Sequence, residues 1–205
     1  MNDVCVFTTT HGKDRLELFS WKNKDENLKW FSKQFHTIIQ FHNSPKSYVN
    51  SVLETCPIYD TVLEYNDMNY PKALLLSLSH IKEQGFKKFI FLMDDFFSSN
   101  RNRKYYELLA DFIKNEDFDH INFEYTMPYK TKFSVRELSD ELFLCNNTNY
   151  DLKHTYSHIP EFYFLDDTPY ACSVDFIKTI YNEEYFNQEN IWHGEGYKNK
   201  TFSKL

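Results

Sequence analysis

Two adjacent aspartates, Asp94 and Asp95, follow directly after the five apolar residues 89–93. A short, continuous apolar run is typical of a strand that is buried on both faces of a parallel sheet. We therefore expect the two carboxylates at the carboxyl edge of the sheet, where open α/β sheets bind ligands. Because neighbouring carboxylates repel each other, the pair indicates a site for a divalent cation that also carries phosphate oxygens.

The elements before and after this run alternate between strand and helix. Apolar runs predict strands over residues 4–8, 37–41, 61–65, 86–93 and 120–125. Apolar positions at helical spacing predict helices from residue 14, with a break within 23–27, and over 47–55, 71–84 and the segment after 98–100. This order predicts an α/β fold with a doubly wound, mostly parallel central sheet flanked by helices.

The pattern loosens beyond residue 125. An amphipathic piece covers residues 135–144, residues 161–165 are strand-like, and residues 174–181 are helix-like. Nothing in the composition marks a linker or a repeat. We expect a single domain over residues 1–205, in which the last third contacts a second substrate.

Composition excludes several classes of protein. The chain has 41% hydrophobic and 19% aromatic residues, which suffices for a substantial core. It has only four glycines, and neither a Walker A loop nor a G-x-G-x-x-G loop is present. The net charge of −7 argues against a nucleic acid partner, because such binding requires clustered lysine and arginine.

The sequence also predicts a cytoplasmic protein. No apolar run approaches 18 residues, and the amino terminus leads directly into a strand-like segment without a signal peptide. The four cysteines are far apart and form no C-x-x-C pair. We expect them to be reduced thiols in the core.

Three segments together resemble one family. The first strand ends in Thr9 and Thr10, with Arg15 following; the segment NYPKA opens the helix at 69–73; and an acidic pair ends the central strand. These features, in this order, resemble the nucleotide-sugar glycosyltransferases of the GT-A fold. Residues 170–195 resemble the acceptor-side end of that fold. The resemblance divides the domain into a Rossmann-like, nucleotide-sugar-binding half, 1–125, and an acceptor-binding half, 126–205.

The resemblance implies a metal site at the acidic pair. In that family an Asp-x-Asp motif holds the donor ribose and a Mn²⁺ or Mg²⁺ ion that bridges the diphosphate. A metal there stabilises the charge on the departing diphosphate without proton transfer. This chain has Met93 at the first acidic position, so Asp95 would be the metal ligand and Asp94 a second ligand or donor contact. His193 is a candidate for a further metal ligand.

The resemblance also implies donor-binding residues. Thr8, Thr9, Thr10 and Arg15 would line the pocket for the base and ribose. Two further residues, Asp67 and Lys72, precede the metal strand and would face the nucleoside, the diphosphate or the sugar. Lysine suits a diphosphate because it acts as a mobile point charge.

An inverting glycosyltransferase needs a carboxylate base near the acceptor hydroxyl. Glu195 is our first choice, since it lies between two glycines and near Trp192, whose ring could stack on a sugar. The alternative is Asp167 in the second acidic pair, Asp166 and Asp167. We thus expect metal-assisted, inverting transfer of a sugar from a nucleotide diphosphate donor to a glycan hydroxyl.

Two other functions fit the same residues. The incomplete acidic motif favours a non-catalytic domain that binds a sugar nucleotide or glycan within a larger glycosylation protein. A metal-dependent phosphohydrolase also places aspartates after a strand. That chemistry usually begins on the first strand, and here residues 4–8 contain no acid.

Overall fold

A computed structural model describes residues 3–11, 14–96, 103–118, 120–122, 134–139, 142–146 and 169–180. These residues form the strands β1 (Val4–His11), β2 (His36–His42), β3 (Thr61–Tyr65), β4 (Lys88–Phe91), β5 (His120–Asn122), β6 (Ser134–Ser139), β7 (Leu142–Asn146) and β8 (Tyr170–Ser173). The helices are α1 (Leu16–Lys24), α2 (Glu26–Ser32), α3 (Lys46–Thr55), α4 (Tyr70–Glu83), α5 (Arg103–Asn115) and α6 (Val174–Ile180).

Six strands form one mixed sheet in the order β3-β2-β1-β4-β8-β5. The pairs β2–β3, β1–β2 and β1–β4 are parallel. Strand β8 lies between β4 and β5 and is antiparallel to both. The predicted α/β fold with a mostly parallel sheet is therefore confirmed. Strand β8 adds residues of the predicted acceptor-side half to this sheet, whereas β6 and β7 pair in a separate two-stranded sheet.

The helices cover both faces of this sheet. The cluster that contains α4 and α6 packs on one face, against Phe7 and Phe89. Two clusters pack on the other face: one joins α2 and α5 to Val6 and Ile90, and the other joins α1 and α3 to Ile39 and Phe41. Right-handed crossovers explain this division. The connections from β1 to β3 run in one direction across the sheet, and the connection from β3 to β4 runs in the other, so α4 must lie on the opposite face.

The change of direction creates a topological switch point at the carboxyl ends of β1 and β4. From β1 the chain moves outward to β2 and β3, and then returns through α4 to β4 on the other side of β1. The loops that follow β1 and β4 therefore leave a common edge and diverge. In open α/β sheets such a crevice is where ligands bind.

The local signals in the sequence account for the elements that were predicted. Residues 89–91 in β4 are buried on both faces, as expected from the apolar run. The predicted helix break falls at Asp25, whose carboxylate caps α2 by accepting a hydrogen bond from the Leu28 amide at 3.0 Å. Helix α4 begins after Asn69, whose side chain accepts from the Lys72 amide.

The later part of the chain departs from the expected pattern. Residues 135–139 and 142–144 lie in the antiparallel strands β6 and β7, and β8 was not predicted as a strand. The paired part of β4 ends at Phe91, two residues earlier than expected. Residues 161–165 lie outside the described part of the chain. Strand β8 has only four residues, so its sequence carries too little periodicity to identify it.

Cys5, Cys56 and Cys172 are buried and free, in agreement with the predicted thiols. Among the described residues, we find no helix whose length and hydrophobicity would allow it to cross a bilayer.

Gly85 ends α4 with a backbone φ of +85°. A β-carbon there would meet no atom within 4 Å, so the cost of adding one is conformational. We expect Gly85→Ala to lower the free energy of unfolding by about 1 kcal/mol, measured by urea denaturation. Gln84→Ala is the matched control, because Gln84 is exposed and right-handed helical. Equal stability of the two variants would contradict this account.

Candidate functional site

Asp94 is the centre of a hydrogen-bonded cluster at the switch point. Its side chain is only 3% exposed. One carboxylate oxygen, Oδ2, accepts a hydrogen bond from Thr10 Oγ1 at 2.7 Å, and the other, Oδ1, forms an ion pair with Arg15 Nη1. The Tyr48 hydroxyl lies 3.4 Å from Thr10 Oγ1. Both carboxylate oxygens are thus engaged by the protein itself.

Asp95 has a different environment from its neighbour. Its side chain is 49% exposed, and its Oδ2 lies 4.0 Å from Arg15 Nη1. The Arg15 guanidinium therefore lies between the two carboxylates, in close contact with Asp94 and at the limit of contact with Asp95. Asp95 is the carboxylate of this pair that faces solvent.

The path of the chain after β4 explains why Met93 and Asp94 point in opposite directions. After β4, the Leu92 amide still donates to the Phe7 carbonyl at 2.9 Å, and a turn then closes with the Phe96 amide on the Met93 carbonyl at 3.2 Å. Residues alternate sides in extended backbone. Met93 consequently packs with the cluster of α4 and α6, whereas Asp94 faces Arg15 and Thr10.

Lys22 stabilises this turn from its buried side. It lies in α1, is 2% exposed, and donates from Nζ to the Met93 carbonyl at 2.7 Å. Burial lowers the pKa of Lys22 to about 8, and the nearby charges of Asp94 and Asp95 oppose that shift. Two cationic side chains, Lys22 and Arg15, are thus placed beside two carboxylates.

A second structured region lies at the same edge of the sheet, in the loops after β2 and β3. Asn43 and Asp67 both adopt left-handed backbone, with φ of 48° and 59°. The Asp67 amide donates to Asn43 Oδ1 at 2.9 Å, and the Met68 carbonyl accepts from His42 Nε2 at 2.8 Å. These bonds hold the two loops together around an open cleft of about 640 Å³, lined by residues 43–45 and 66–69.

Tyr70 connects this cleft to β1. Its hydroxyl lies 3.3 Å from Thr9 Oγ1, and its ring packs edge-on against His42 with 5.8 Å between ring centroids. Because Tyr70 is the first residue of α4, the amino terminus of that helix is anchored to both neighbouring strands. The carboxyl ends of β1, β2 and β3 are therefore mutually braced.

The structure brings some predicted site residues together and separates others. Thr10, Arg15, Asp94 and Asp95 form one group. Thr8 is buried on the same face of β1 as Thr10, two residues earlier. Thr9 is on the opposite face of β1, beside Tyr70. Asp67 and Lys72 are exposed, at the cleft and in the first turn of α4.

The remaining predicted residues, Asp166, Asp167, His193 and Glu195, lie outside the described part of the chain. The base and the additional metal ligand therefore stay predictions, as do the donor contacts.

Sequence reasoning missed three residues that organise the site: Lys22, Tyr48 and Tyr70. Lys22 follows Phe19 by one helical turn and shares its buried face, so a charged residue at an apolar position was the available signal. Tyr70 stands inside the segment NYPKA, but nothing local to it indicates a partner on β1. Tyr48 is an ordinary core position in the pattern of α3.

Among the described residues, the acidic pair offers a divalent cation one accessible carboxylate, and the predicted metal site stays a prediction. Nowhere in the described ranges do three histidine, cysteine, aspartate or glutamate side chains converge as a metal site would require. Asp94 uses both oxygens on protein donors, which leaves Asp95 as the accessible carboxylate of the pair. Divalent cations of the Mg²⁺ type are usually held by carboxylate oxygens together with substrate phosphates.

Similarity to known proteins is confined to the fold. No protein family model matches the chain, and no curated protein does. A crystal structure of 4-diphosphocytidyl-2C-methyl-D-erythritol synthase from Anaerococcus prevotii is similar to it, with a TM-score of 0.50, 11% identity, and coverage of 98% of this chain and 84% of that one. The chain has a GT-A-like fold. The predicted fold resemblance is thus confirmed.

Two further crystal structures have lower TM-scores. Mannose-1-phosphate geranyltransferase from Thermus thermophilus gives 0.48, with 13% identity over 100% of this chain and 68% of that one. A protein from Desulfovibrio desulfuricans that is assigned as a nucleotide-diphospho-sugar transferase gives 0.46, with 6% identity over 98% and 76%.

The different environments of the two aspartates predict different costs of the same substitution. Asp94→Asn removes the charge that pairs with Arg15, and we expect it to lower the free energy of unfolding by about 2 kcal/mol. Asp95→Asn changes a half-exposed residue, and we expect it to lower the free energy of unfolding by less than about 0.5 kcal/mol. Urea denaturation of the two variants measures both. A larger loss for Asp95→Asn would contradict the described geometry.

The lowered pKa of Lys22 predicts a pH dependence of stability. Between about pH 8 and pH 10.5 the unfolded chain binds a proton at Lys22 that the folded chain does not, so the free energy of unfolding rises with pH. The slope approaches about 1.4 kcal/mol per pH unit.

The measurement is the difference between wild type and Lys22→Met in urea denaturation from pH 7.5 to 9.5. The difference is needed because burial raises the pKa of the Cys56 thiol to about 11, and this acts in the opposite direction. A difference that does not change with pH would show that Lys22 has an ordinary pKa.

Proposed function

We propose that this chain is a transferase that binds a nucleoside diphosphate sugar along the carboxyl edge of β1, β2 and β4 and moves the sugar to a glycan hydroxyl. One observation carries the proposal: Thr10, Arg15, Asp94 and Asp95 meet at the switch point of a GT-A-like sheet. Open α/β sheets bind nucleotides at this position. A cluster of charged groups there is expected for a ligand that carries phosphate.

Arg15 is the proposed contact for the diphosphate. Its side chain is 34% exposed, so the guanidinium reaches solvent while it is paired with Asp94. A guanidinium can donate two parallel hydrogen bonds to phosphate oxygens. Lys72, exposed in the first turn of α4, would supply a second positive charge.

The nucleoside is proposed to lie towards the loops after β2 and β3. The cleft there offers the exposed carboxylate of Asp67 and main-chain groups that are already held in place by Asn43 and His42. A preformed site reduces the entropy that is lost on binding. The contacts of Tyr70 with Thr9 and His42 hold the cleft next to the end of β1.

Sugar transfer breaks the bond between the anomeric carbon and the diphosphate, and the diphosphate leaves with the bonding electrons. Arg15 would stabilise the negative charge that develops on it. A carboxylate, for which Glu195 and Asp167 are the candidates, would take the proton of the acceptor hydroxyl as it attacks. Attack from the face opposite the leaving group inverts the anomeric configuration.

A second candidate function is nucleotidyl transfer. It is favoured by the fold likeness to the synthase from Anaerococcus prevotii, whose name describes a diphosphocytidyl product. The two reactions differ in what they release, since sugar transfer releases a nucleoside diphosphate and nucleotidyl transfer to a phosphorylated acceptor releases inorganic diphosphate. A non-catalytic binding domain would bind a sugar nucleotide and release neither.

The test is incubation of the protein with UDP-, GDP- and dTDP-sugars and Mn²⁺, followed by chromatography of the nucleotides. We expect slow hydrolysis of one sugar nucleotide to its nucleoside diphosphate, and loss of at least about 90% of this rate in Asp95→Asn, because this solvent-facing carboxylate is the proposed ligand for a Mn²⁺ ion bound with the donor phosphates. Asp111→Asn is the control, an exposed aspartate on α5.

Three results would decide against sugar transfer. Inorganic diphosphate release from nucleoside triphosphates with sugar phosphates would favour nucleotidyl transfer. Binding without turnover in calorimetry would favour the non-catalytic domain. Failure of every nucleotide to bind would reject the proposed donor altogether.

A further inference from the structure

The Arg15 guanidinium occupies an oxygen of Asp94 that a cation shared by the two aspartates would need. Arg15 Nη1 contacts Asp94 Oδ1 directly and is 4.0 Å from Asp95 Oδ2. A divalent ion of the Mg²⁺ or Mn²⁺ type binds carboxylate oxygens at about 2.0–2.6 Å. An ion bound to Asp94 Oδ1 and Asp95 would therefore compete with this guanidinium for Asp94 Oδ1 and would lie close to its positive charge.

We propose that Arg15 is a built-in counter-ion of the Asp94–Asp95 pair, that it competes with divalent cations for these carboxylates, and that a nucleoside diphosphate relieves the competition by drawing Arg15 to its phosphates. The competition itself depends only on the geometry of the pair. The last step rests on the proposed function.

The charges around the pair support this competition. Lys22 lies on the buried side with its Nζ on the Met93 carbonyl, and Arg15 lies on the solvent side. Two protein cations already balance the two carboxylates, so an added divalent ion meets positive charge at close range. Thr10 further restrains Asp94, because rotation of the carboxylate towards solvent would break its 2.7 Å hydrogen bond.

Arg15 is placed so that it can exchange partners. It is the residue immediately before α1, with non-helical backbone angles, and about one third of its side chain is exposed. Its guanidinium has five N–H donors, and phosphate oxygens can engage two of them at once. A diphosphate at the switch point offers such oxygens, and movement of Arg15 towards them would expose the carboxylates.

The competition can be tested with Mn²⁺ alone, without nucleotide, by electron paramagnetic resonance of the free ion. We expect Arg15→Gln to bind one Mn²⁺ at least tenfold more tightly than wild type. Adding Asp95→Asn to Arg15→Gln should abolish this gain. Arg15→Lys keeps a positive charge and should remain within about threefold of wild type, which separates the effect of charge from loss of packing.

Arg103→Gln is the matched control for net charge. Arg103 lies on α5, where its guanidinium stacks on Trp30 at 4.9 Å and donates to Asn27, both on α2. It is therefore not part of the acidic pair's surroundings. We expect its Mn²⁺ affinity to stay within about twofold of wild type. Unchanged or weaker binding in Arg15→Gln would overturn the proposal, as would an equal gain in Arg103→Gln.

The exchange of partners is tested separately by calorimetry with UDP, GDP and dTDP in the presence of EDTA. Loss of at least tenfold in metal-free affinity in Arg15→Gln supports transfer of Arg15 to the phosphates, and equal affinity overturns it. If no nucleotide binds to wild type, the proposed function and the exchange both fail, while the Mn²⁺ comparison still decides the competition.

Discussion

The buried carboxylate of Asp94 is the constraint on which the geometry of this site depends. An unpaired charge removed from water costs many kcal/mol, so the chain must bring partners to it. Thr10 comes from the end of β1 and Arg15 from the start of α1, and each engages one oxygen. These bonds fasten the loop after β1 to the end of β4. The two strands whose carboxyl ends define the switch point are thereby joined through side chains as well as through their pairing.

The other half of the same edge is fixed independently of Asp94. There the loops after β2 and β3 are held by main-chain and side-chain bonds that involve His42, Asn43 and Met68. Left-handed backbone at two non-glycine residues costs free energy and persists only where surrounding bonds impose it. The contact between Thr9 and Tyr70 joins this region to β1. A nucleotide along this edge would meet a surface that is already ordered on both sides, which is the physical basis of the proposed donor site.

The sequence was sufficient for the elements with strong local signals and insufficient for the contacts between them. The apolar run before Asp94 and the capping residue Asn69 identify β4 and α4 directly. The partners of the acidic pair are distant along the chain, with a separation of 79 residues from Arg15 to Asp94 and 71 from Lys22 to Met93. Strand β8 can be identified only from its pairing with β4 and β5, because its four residues are too few to show a periodic pattern in the sequence. Burial of Lys22 likewise depends on a carbonyl that only the folded turn presents.

The apolar residue at the start of the acidic motif follows from the same geometry. Alternation along the exit of β4 directs Met93 towards the cluster that contains Phe7, Phe91 and α4, and Asp94 towards the opposite side. A carboxylate at position 93 would enter this apolar cluster without a cation, since Arg15 and Lys22 both reach the other side of the turn. Met93 instead contributes its carbonyl, which accepts from both Lys22 and Phe96. Under the proposed function, the donor contact that the family resemblance assigns to the first acidic position would fall to another residue of this edge, and the exposed Asp67 carboxylate at the neighbouring cleft is the described candidate.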